Sequence, residues 1–173
     1  MNSDKTIYFI TGASGVGKTT LVDQLKKRYK NKPWSFIHFD SIGIPSLEEM
    51  KMSFGSPTAW QKAKTFEWIS RLIQDYDYEK IFFEGQVDLQ FIREGFAHHN
   101  FEKYRIVLVD CSEEEMEHRL IHSRAQPELF TEAMKNWLQY LRRQAKELHA
   151  QIIANSNQSP EELLKKFEIA VGL

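Results

Sequence analysis

Residues Gly12-Ala13-Ser14-Gly15-Val16-Gly17-Lys18-Thr19 meet the pattern G-x-x-x-x-G-K-[ST] at every specified position. The pattern gains its meaning from its flanks. Ile7-Tyr8-Phe9-Ile10-Thr11 is a β-rich run before the loop, and Leu21, Val22 and Leu25 share one helical face after it. In a strand–loop–helix unit, backbone N–H groups of the turn and the helix N-terminus converge on one small volume. Fixed dipoles there favour a polyphosphate. Lys18 is expected to reach the β/γ-phosphates as a point charge, and the Thr19 hydroxyl to ligate Mg²⁺. The chain therefore reads as a binder of a nucleoside triphosphate. Gly12, Ala13, Ser14, Gly15, Val16, Gly17, Lys18, Thr19 and Thr20 are its phosphate-binding residues.

The rest of the chain alternates strands with helices. A first helix is expected to run to about Tyr29. Its basic end (Lys26, Lys27, Arg28, Lys30, Lys32) reads as a solvated helix terminus, where cations suit the macrodipole. Ser35-Phe36-Ile37-His38-Phe39 predicts a strand that delivers Asp40 at its end. Gly43, Pro45 and Ser46 break the pattern, and a polar, Met-containing stretch continues to Gly55. Ser56-Pro57 opens a helix with Trp60, Ala63, Phe66, Ile69, Leu72 and Ile73 at helical spacing, and Trp68 lies off that stripe. Ile81-Phe82-Phe83 delivers Glu84, and a short helix from Val87 to about Phe96 is expected to break near Gly95.

Ile106-Val107-Leu108-Val109 is continuously apolar, as a buried parallel strand should be. Ser112-Glu113-Glu114-Glu115 reads as a capping box opening a helix through Met116 and Leu120. Ser123 to Glu128 interrupts it. A long amphipathic helix follows, marked by Phe130, Ala133, Met134, Trp137, Leu138 and Leu141. Gln151-Ile152-Ile153-Ala154 is a fifth strand, and Ser159-Pro160-Glu161-Glu162 caps a last helix.

This alternation predicts an α/β fold, a parallel five-stranded sheet with helices on both faces. Ligands bind beyond the carboxyl ends of such strands. The phosphate loop, Asp40, Glu84, Asp110 and Asn155 should therefore share one edge. With 173 residues and no linker or repeat, residues 1–173 are expected to form a single domain. Lys+Arg 23 against Asp+Glu 24 leaves a net charge of −1, so no global field draws the chain to nucleic acid or membrane. The one cysteine, Cys111, excludes an internal disulfide. With no room for a signal peptide and no apolar run near ~20 residues, the expected location is cytoplasmic. Composition gives no oligomeric state.

No N-K-x-D guanine motif and no L-S-G-G-Q occurs, which weighs against GTPase switches and transporter ATPases. What remains resembles the phosphate-loop (P-loop) small-molecule and nucleotide kinases, the relatives of adenylate, shikimate, gluconate and adenylylsulfate kinases. The resemblance rests on residues 12–19, Asp40, Glu84-Gly85, Arg119-Leu120-Ile121-His122-Ser123-Arg124 and Asn155-Ser156. It implies a three-layer P-loop NTPase fold with strand order 2-3-1-4-5 and a short lid at about 121–128. An acceptor-binding insert would span about 41–79. It also implies ATP and Mg²⁺ as cofactors and a small-molecule phosphoryl acceptor as partner. Asp40 would activate the acceptor hydroxyl or organise Mg²⁺, and Glu84 would touch metal-bound water or hold the acceptor. Arg119 would lie against adenine, Arg124 would clamp phosphates from the lid, and Asn155 and Ser156 would meet the adenine edge. The D-x-D of shikimate kinases is replaced here by Asp40-Ser41-Ile42, so one carboxylate has one role.

Other features carry less. Of Arg142 and Arg143 at most one should face the site, since adjacent helical residues point ~100° apart. His118 and His122, at i and i+4, lack a third metal ligand and read as exposed helix residues. Trp60 and Phe66 read as core, and Trp68 as the better platform for an acceptor. The leading expectation is an ATP-dependent phosphotransferase. Its alternative is a nucleotide-binding regulatory ATPase-like protein without an acceptor, and a nucleic-acid end kinase lacks a basic channel.

Overall fold

The structure is a computed structural model that describes residues 5–75 and 77–173. Five strands form one parallel sheet: β1 (Thr6–Thr11), β2 (Trp34–His38), β3 (Lys80–Glu84), β4 (Tyr104–Asp110) and β5 (Gln151–Ala154). Their order is β2-β3-β1-β4-β5, as the resemblance implied. The helices are α1 (Lys18–Arg28), α2 (Leu47–Phe54), α3 (Pro57–Gln74), α4 (Leu89–His98), α5 (Glu113–His118), α6 (Glu132–Glu147) and α7 (Pro160–Val171).

Alternation along β1 divides the core. Tyr8 and Ile10 join Leu21, Leu25, Leu164 and Phe167 in the cluster under α1 and α7. Ile7 and Phe9 join Ile69, Leu72, Ile92 and Phe96 in the cluster under α3 and α4. Strand register aligns Tyr8, Phe82 and Phe36 into a stacked ladder across β1, β3 and β2, with ring centroids 4.8 and 5.3 Å apart. Two residues further on, the same register sets Ile10, Glu84 and His38 side by side. The apolar ladder thus fixes the height and facing of the first polar residues at the sheet edge.

Several expectations change. Residues 47–54, within the stretch to which the sequence assigned no element, are a helix: Ser46 and Glu49 form a reciprocal capping box that starts α2. Trp68 is buried against Phe83 with centroids 5.0 Å apart, and Ala63 is exposed. Besides Trp60, the buried face of α3 runs through Thr65, Trp68, Ile69 and Leu72 at i, i+3, i+4 and i+7, the last three in one cluster with Phe9 and Phe83 of the sheet and Ile92 of α4. Trp68 is therefore core and no acceptor platform. α4 runs unbroken through Gly95, whose missing side chain admits Ile69; a Cβ there would meet Ile69 Cδ1 at 2.5 Å. Phe39 leaves β2 for a 3₁₀ turn over Phe39–Ile42, so Asp40 sits on a turn. At Ser112 only half the capping box forms, because Glu115 pairs instead with Arg119. Phe130 precedes α6, which Thr131 caps. The basic end of α1 is exposed as expected, and Arg28 ties it to Glu161 and Glu168 of α7.

Candidate active site

The helices differ at their N-termini in one respect. α2, α3, α4, α5, α6 and α7 each start under a side-chain cap: Ser46, Ser56, Asp88, Ser112, Thr131 and Ser159. Such a cap is worth about 1 kcal/mol. α1 has none, since its N-cap is Gly17, and its first turn holds no acid. The orphan N–H groups at its start are left for an anion.

The loop that leads there is held by its neighbours. Gly17 has φ 106°, and a Cβ there would meet Asn155 Nδ2 at 2.5 Å, so only glycine lets the loop lie against β5's end. Asn155 Nδ2 donates to Val16 O at 2.7 Å. Arg119 braces the same turn: its guanidinium donates to Val16 O at 3.1 Å and to Asn155 O at 2.7 Å, and its Nε pairs with Glu115 at 2.7 Å. Ser14 Oγ donates to Gln86 Oε1 at 2.9 Å, which ties the loop to the segment after β3. A cavity of about 550 Å³ opens beside this cradle, with Lys18, Thr19, Thr20, Arg119, Arg124 and Asn155 among its walls.

Lys18 is buried, with Nζ donating to Ala13 O at 2.8 Å. Burial lowers its pKa to about 8; Glu84 and Asp40 oppose this, and Arg124 reinforces it. These four residues therefore share one electrostatic site. Between pH 8 and 10.5 the unfolded chain binds more protons at this position than the folded one, so this group makes stability rise with pH there. A polyphosphate raises the Lys18 pKa again. Its binding is thus expected to take up a proton above pH 8, with affinity falling as pH rises through that value. Calorimetry of ADP binding in buffers of different ionisation enthalpy reads this directly; no proton uptake at pH 8.5 would refute it.

Thr19 Oγ1 donates to Glu84 Oε1 at 3.2 Å, and the same oxygen lies 2.8 Å from His38 Nδ1. Glu84 is buried at the end of β3, between α1 and β2. Asp40 stands at the outer rim, and desolvation followed by the Glu84 charge raises its pKa. His38 was missed in the sequence. The signal was available only through register, which pairs it with Glu84 across two strands separated by 41 intervening residues.

The remaining candidates separate. Arg124 is exposed on the segment after a π-helical turn, Arg119–Ser123, where Arg124 N donates to Arg119 O. Ser123 and Ala125 beside it are exposed too. Ser156 Oγ accepts from Ser112 N, and Asn155 spends its Nδ2 on the phosphate loop. Both therefore brace protein groups, and Gln158 is a further wall of the cavity nearby. Arg142 is locked on Asp110 at 2.8 Å and on Cys111 O; Arg143 lies over the Tyr140 ring. Neither is among the residues that line the cavity. His118 and His122 are exposed with rings 5.1 Å apart, and no group of three or more metal-ligating side chains occurs among the described residues. No helix among these residues is long and apolar enough to cross a membrane.

No family model and no curated protein matches the chain. Solved structures do match over nearly its whole length. A shikimate kinase from Bacteroides thetaiotaomicron aligns with a TM-score of 0.66 at 18% identity, covering 97% of this chain and 99% of the other. Shikimate kinase from Acinetobacter baumannii in complex with shikimate aligns at 0.63 and 15%, covering 99% and 95%. A gluconokinase from Sinorhizobium meliloti 1021 aligns at 0.63 and 18%, covering 98% and 92%. The chain thus has the P-loop fold of these small-molecule kinases, with the sheet order they share with it.

Proposed function

We propose that the chain is a phosphotransferase that moves the γ-phosphoryl group of ATP to the hydroxyl of a small molecule. The observation that carries this reading is the uncapped start of α1 beside an acid-lined rim. The start of α1 supplies N–H donors and Lys18 for a triphosphate. The rim supplies Asp40 for a second reactant, with the enclosed Glu84 behind it. Phosphoryl transfer asks a protein for positioning and charge neutralisation more than for covalent chemistry.

The donor set fits Mg²⁺. Thr19 and Glu84 offer oxygen atoms to a hard cation, which takes few protein ligands and keeps water and phosphate oxygens around it. Mg²⁺, when bound, neutralises charge on the phosphates. Thr19 is the direct ligand in this reading, and Glu84, fixed by His38, orients the Thr19 hydroxyl. With Glu84 so engaged, Asp40 is free to hold the acceptor hydroxyl and take its proton. Arg124, on a segment without large apolar side chains, closes on the transferring group and excludes water. Adenine lies by the Arg119 plane and the loop 155–158, where Gln158 joins Asn155 and Ser156 as a candidate contact.

The test is ADP release at fixed Mg·ATP across a panel of hydroxyl compounds. At least one acceptor is expected to raise the rate about tenfold or more above the acceptor-free rate, with a phosphorylated product of matching amount. Tight ATP binding that no acceptor accelerates would favour a nucleotide-dependent regulator instead.

A further inference from the structure

A second cavity, of about 720 Å³, lies at the opposite end of the strands from the phosphate loop, where β4 and β5 begin. Unequal strand lengths make it. β4 has seven residues and β5 four, and β5 first pairs through Gln151 with Val107. The chain leaving α6 turns at His149, with φ 52°, and enters β5 only at that level. Among the described residues, Tyr104, Arg105 and Ile106 of β4 therefore have no strand beside them on that side. The cavity occupies this notch. Arg105 and Ile106 point to opposite faces of β4 and both line it, because the missing strand leaves the notch open from either face. Phe101, Tyr104, Ile106 and Leu148 supply an apolar side, and Arg93 of α4 and Arg105 of β4 supply two guanidiniums. The volume falls within the range of small-molecule sites, about 300–1,000 Å³.

The fate of the other arginines sets these two apart. Eight occur in the chain. Five are spent on protein groups: Arg28 on Glu161 and Glu168, Arg71 on Glu67, Arg119 on Glu115, Arg142 on Asp110 and Arg143 on the Tyr140 ring. Arg93, Arg105 and Arg124 make no hydrogen bond, ion pair or ring contact with the described residues. All three line cavities: Arg124 the one assigned above to the nucleotide, Arg93 and Arg105 this one. Glu102, the one carboxylate among the lining residues, pairs with neither, so cations outnumber anions at the wall. Single free arginines on a surface are ordinary. Two on the wall of one cavity, opposite an apolar side, match an oxyanion carried on an apolar body, since the planar fork fits carboxylate and phosphate alike.

We propose that this notch binds a small organic oxyanion, a carboxylate or phosphate ester on a ring or short alkyl chain, at a site separate from the nucleotide's. The oxyanion is held by Arg93 and Arg105, and the apolar body rests on Phe101, Tyr104, Ile106 and Leu148. The assignment does not depend on the phosphotransferase reading above.

Three naphthalene probes on the full chain test it, two anionic and one neutral. In excess ADP, calorimetry is expected to show one saturable site for 2-naphthoate, for 2-naphthyl phosphate or for both. The tighter of the two identifies the head group, and neutral 2-naphthol is expected to bind at least about tenfold more weakly. A variant carrying Arg93→Gln and Arg105→Gln, both at exposed positions, is expected to weaken the anions at least about tenfold. Its ADP affinity and melting temperature should be unaltered. Lys27→Gln with Lys51→Gln removes the same charge from exposed positions elsewhere and is expected to leave anion binding as it was. Absence of saturable binding by either anion overturns the proposal, as does displacement of the probe by ADP. Equal anion binding in the arginine variant, equal loss in the lysine variant, or naphthol binding as tight as the anions' overturns it too. A wild-type dimer that the arginine variant dissolves in light scattering would make the notch a self-interface, with the same consequence.

Discussion

Lys18→Ala is expected to lower acceptor-dependent ADP release by at least about 10²–10³-fold, the range for loss of one preorganised electrostatic donor. The ammonium is fixed in a buried cradle by the Ala13 carbonyl, so no reorganisation is needed when phosphate arrives. No neighbour can replace it. Arg124 lies on an exposed segment, and Arg119 is committed to the carbonyls of Val16 and Asn155. The same substitution removes a cation whose burial disfavours its charge, so the melting temperature should hold or rise. Circular dichroism checks the fold, and coupled ADP release checks the rate. Wild-type turnover in a folded Lys18→Ala protein would remove the site assignment altogether.

Asp40→Asn is expected to cut acceptor phosphorylation by about 10²–10⁴-fold, the usual worth of a positioned general base. Mg·ATP affinity, Mg²⁺ dependence and acceptor-free hydrolysis should change little. The split follows from the two carboxylates' surroundings. Glu84 is enclosed and bonded to Thr19 and His38, whereas Asp40 stands at the rim on a turn that no side chain caps. Its pKa is raised by desolvation and by Glu84, which makes it a better proton acceptor than an ordinary aspartate. A shifted Mg²⁺ requirement with unchanged acceptor chemistry would exchange the two roles. Normal behaviour in every respect would leave Asp40 as a turn residue.

Much of the candidate site was legible because the pattern of the loop is written locally. The loop of residues 12–19 needs a strand before it, a helix after it and glycines where backbone and ligand approach, and all lie within about 25 residues. Strand alternation also gave the sheet, since βαβ units have one dominant handedness. The helix 47–54 stayed hidden for the opposite reason. It buries only Met50, so it has almost no apolar period, and its one signal was the box of Ser46 and Glu49. Trp68 was misplaced because the buried stripe of α3 is Thr65, Trp68, Ile69 and Leu72 at i, i+3, i+4 and i+7, and the polar Thr65 that starts it is passed over when only apolar residues are counted.

The sequence by itself determined the strand–loop–helix unit around residues 12–19, the parallel sheet and the edge at which Asp40 and Glu84 emerge, because each follows from short-range pattern. Tertiary structure alone decided which neighbours those groups meet. His38 meets Glu84 through the β2–β3 register, and Arg119 and Asn155 reach back across more than 100 residues to brace Val16. Arg142 is drawn from the site by Asp110. Such pairings depend on which residues strand register and helix packing bring within hydrogen-bond reach, and no local pattern in the chain encodes that distance.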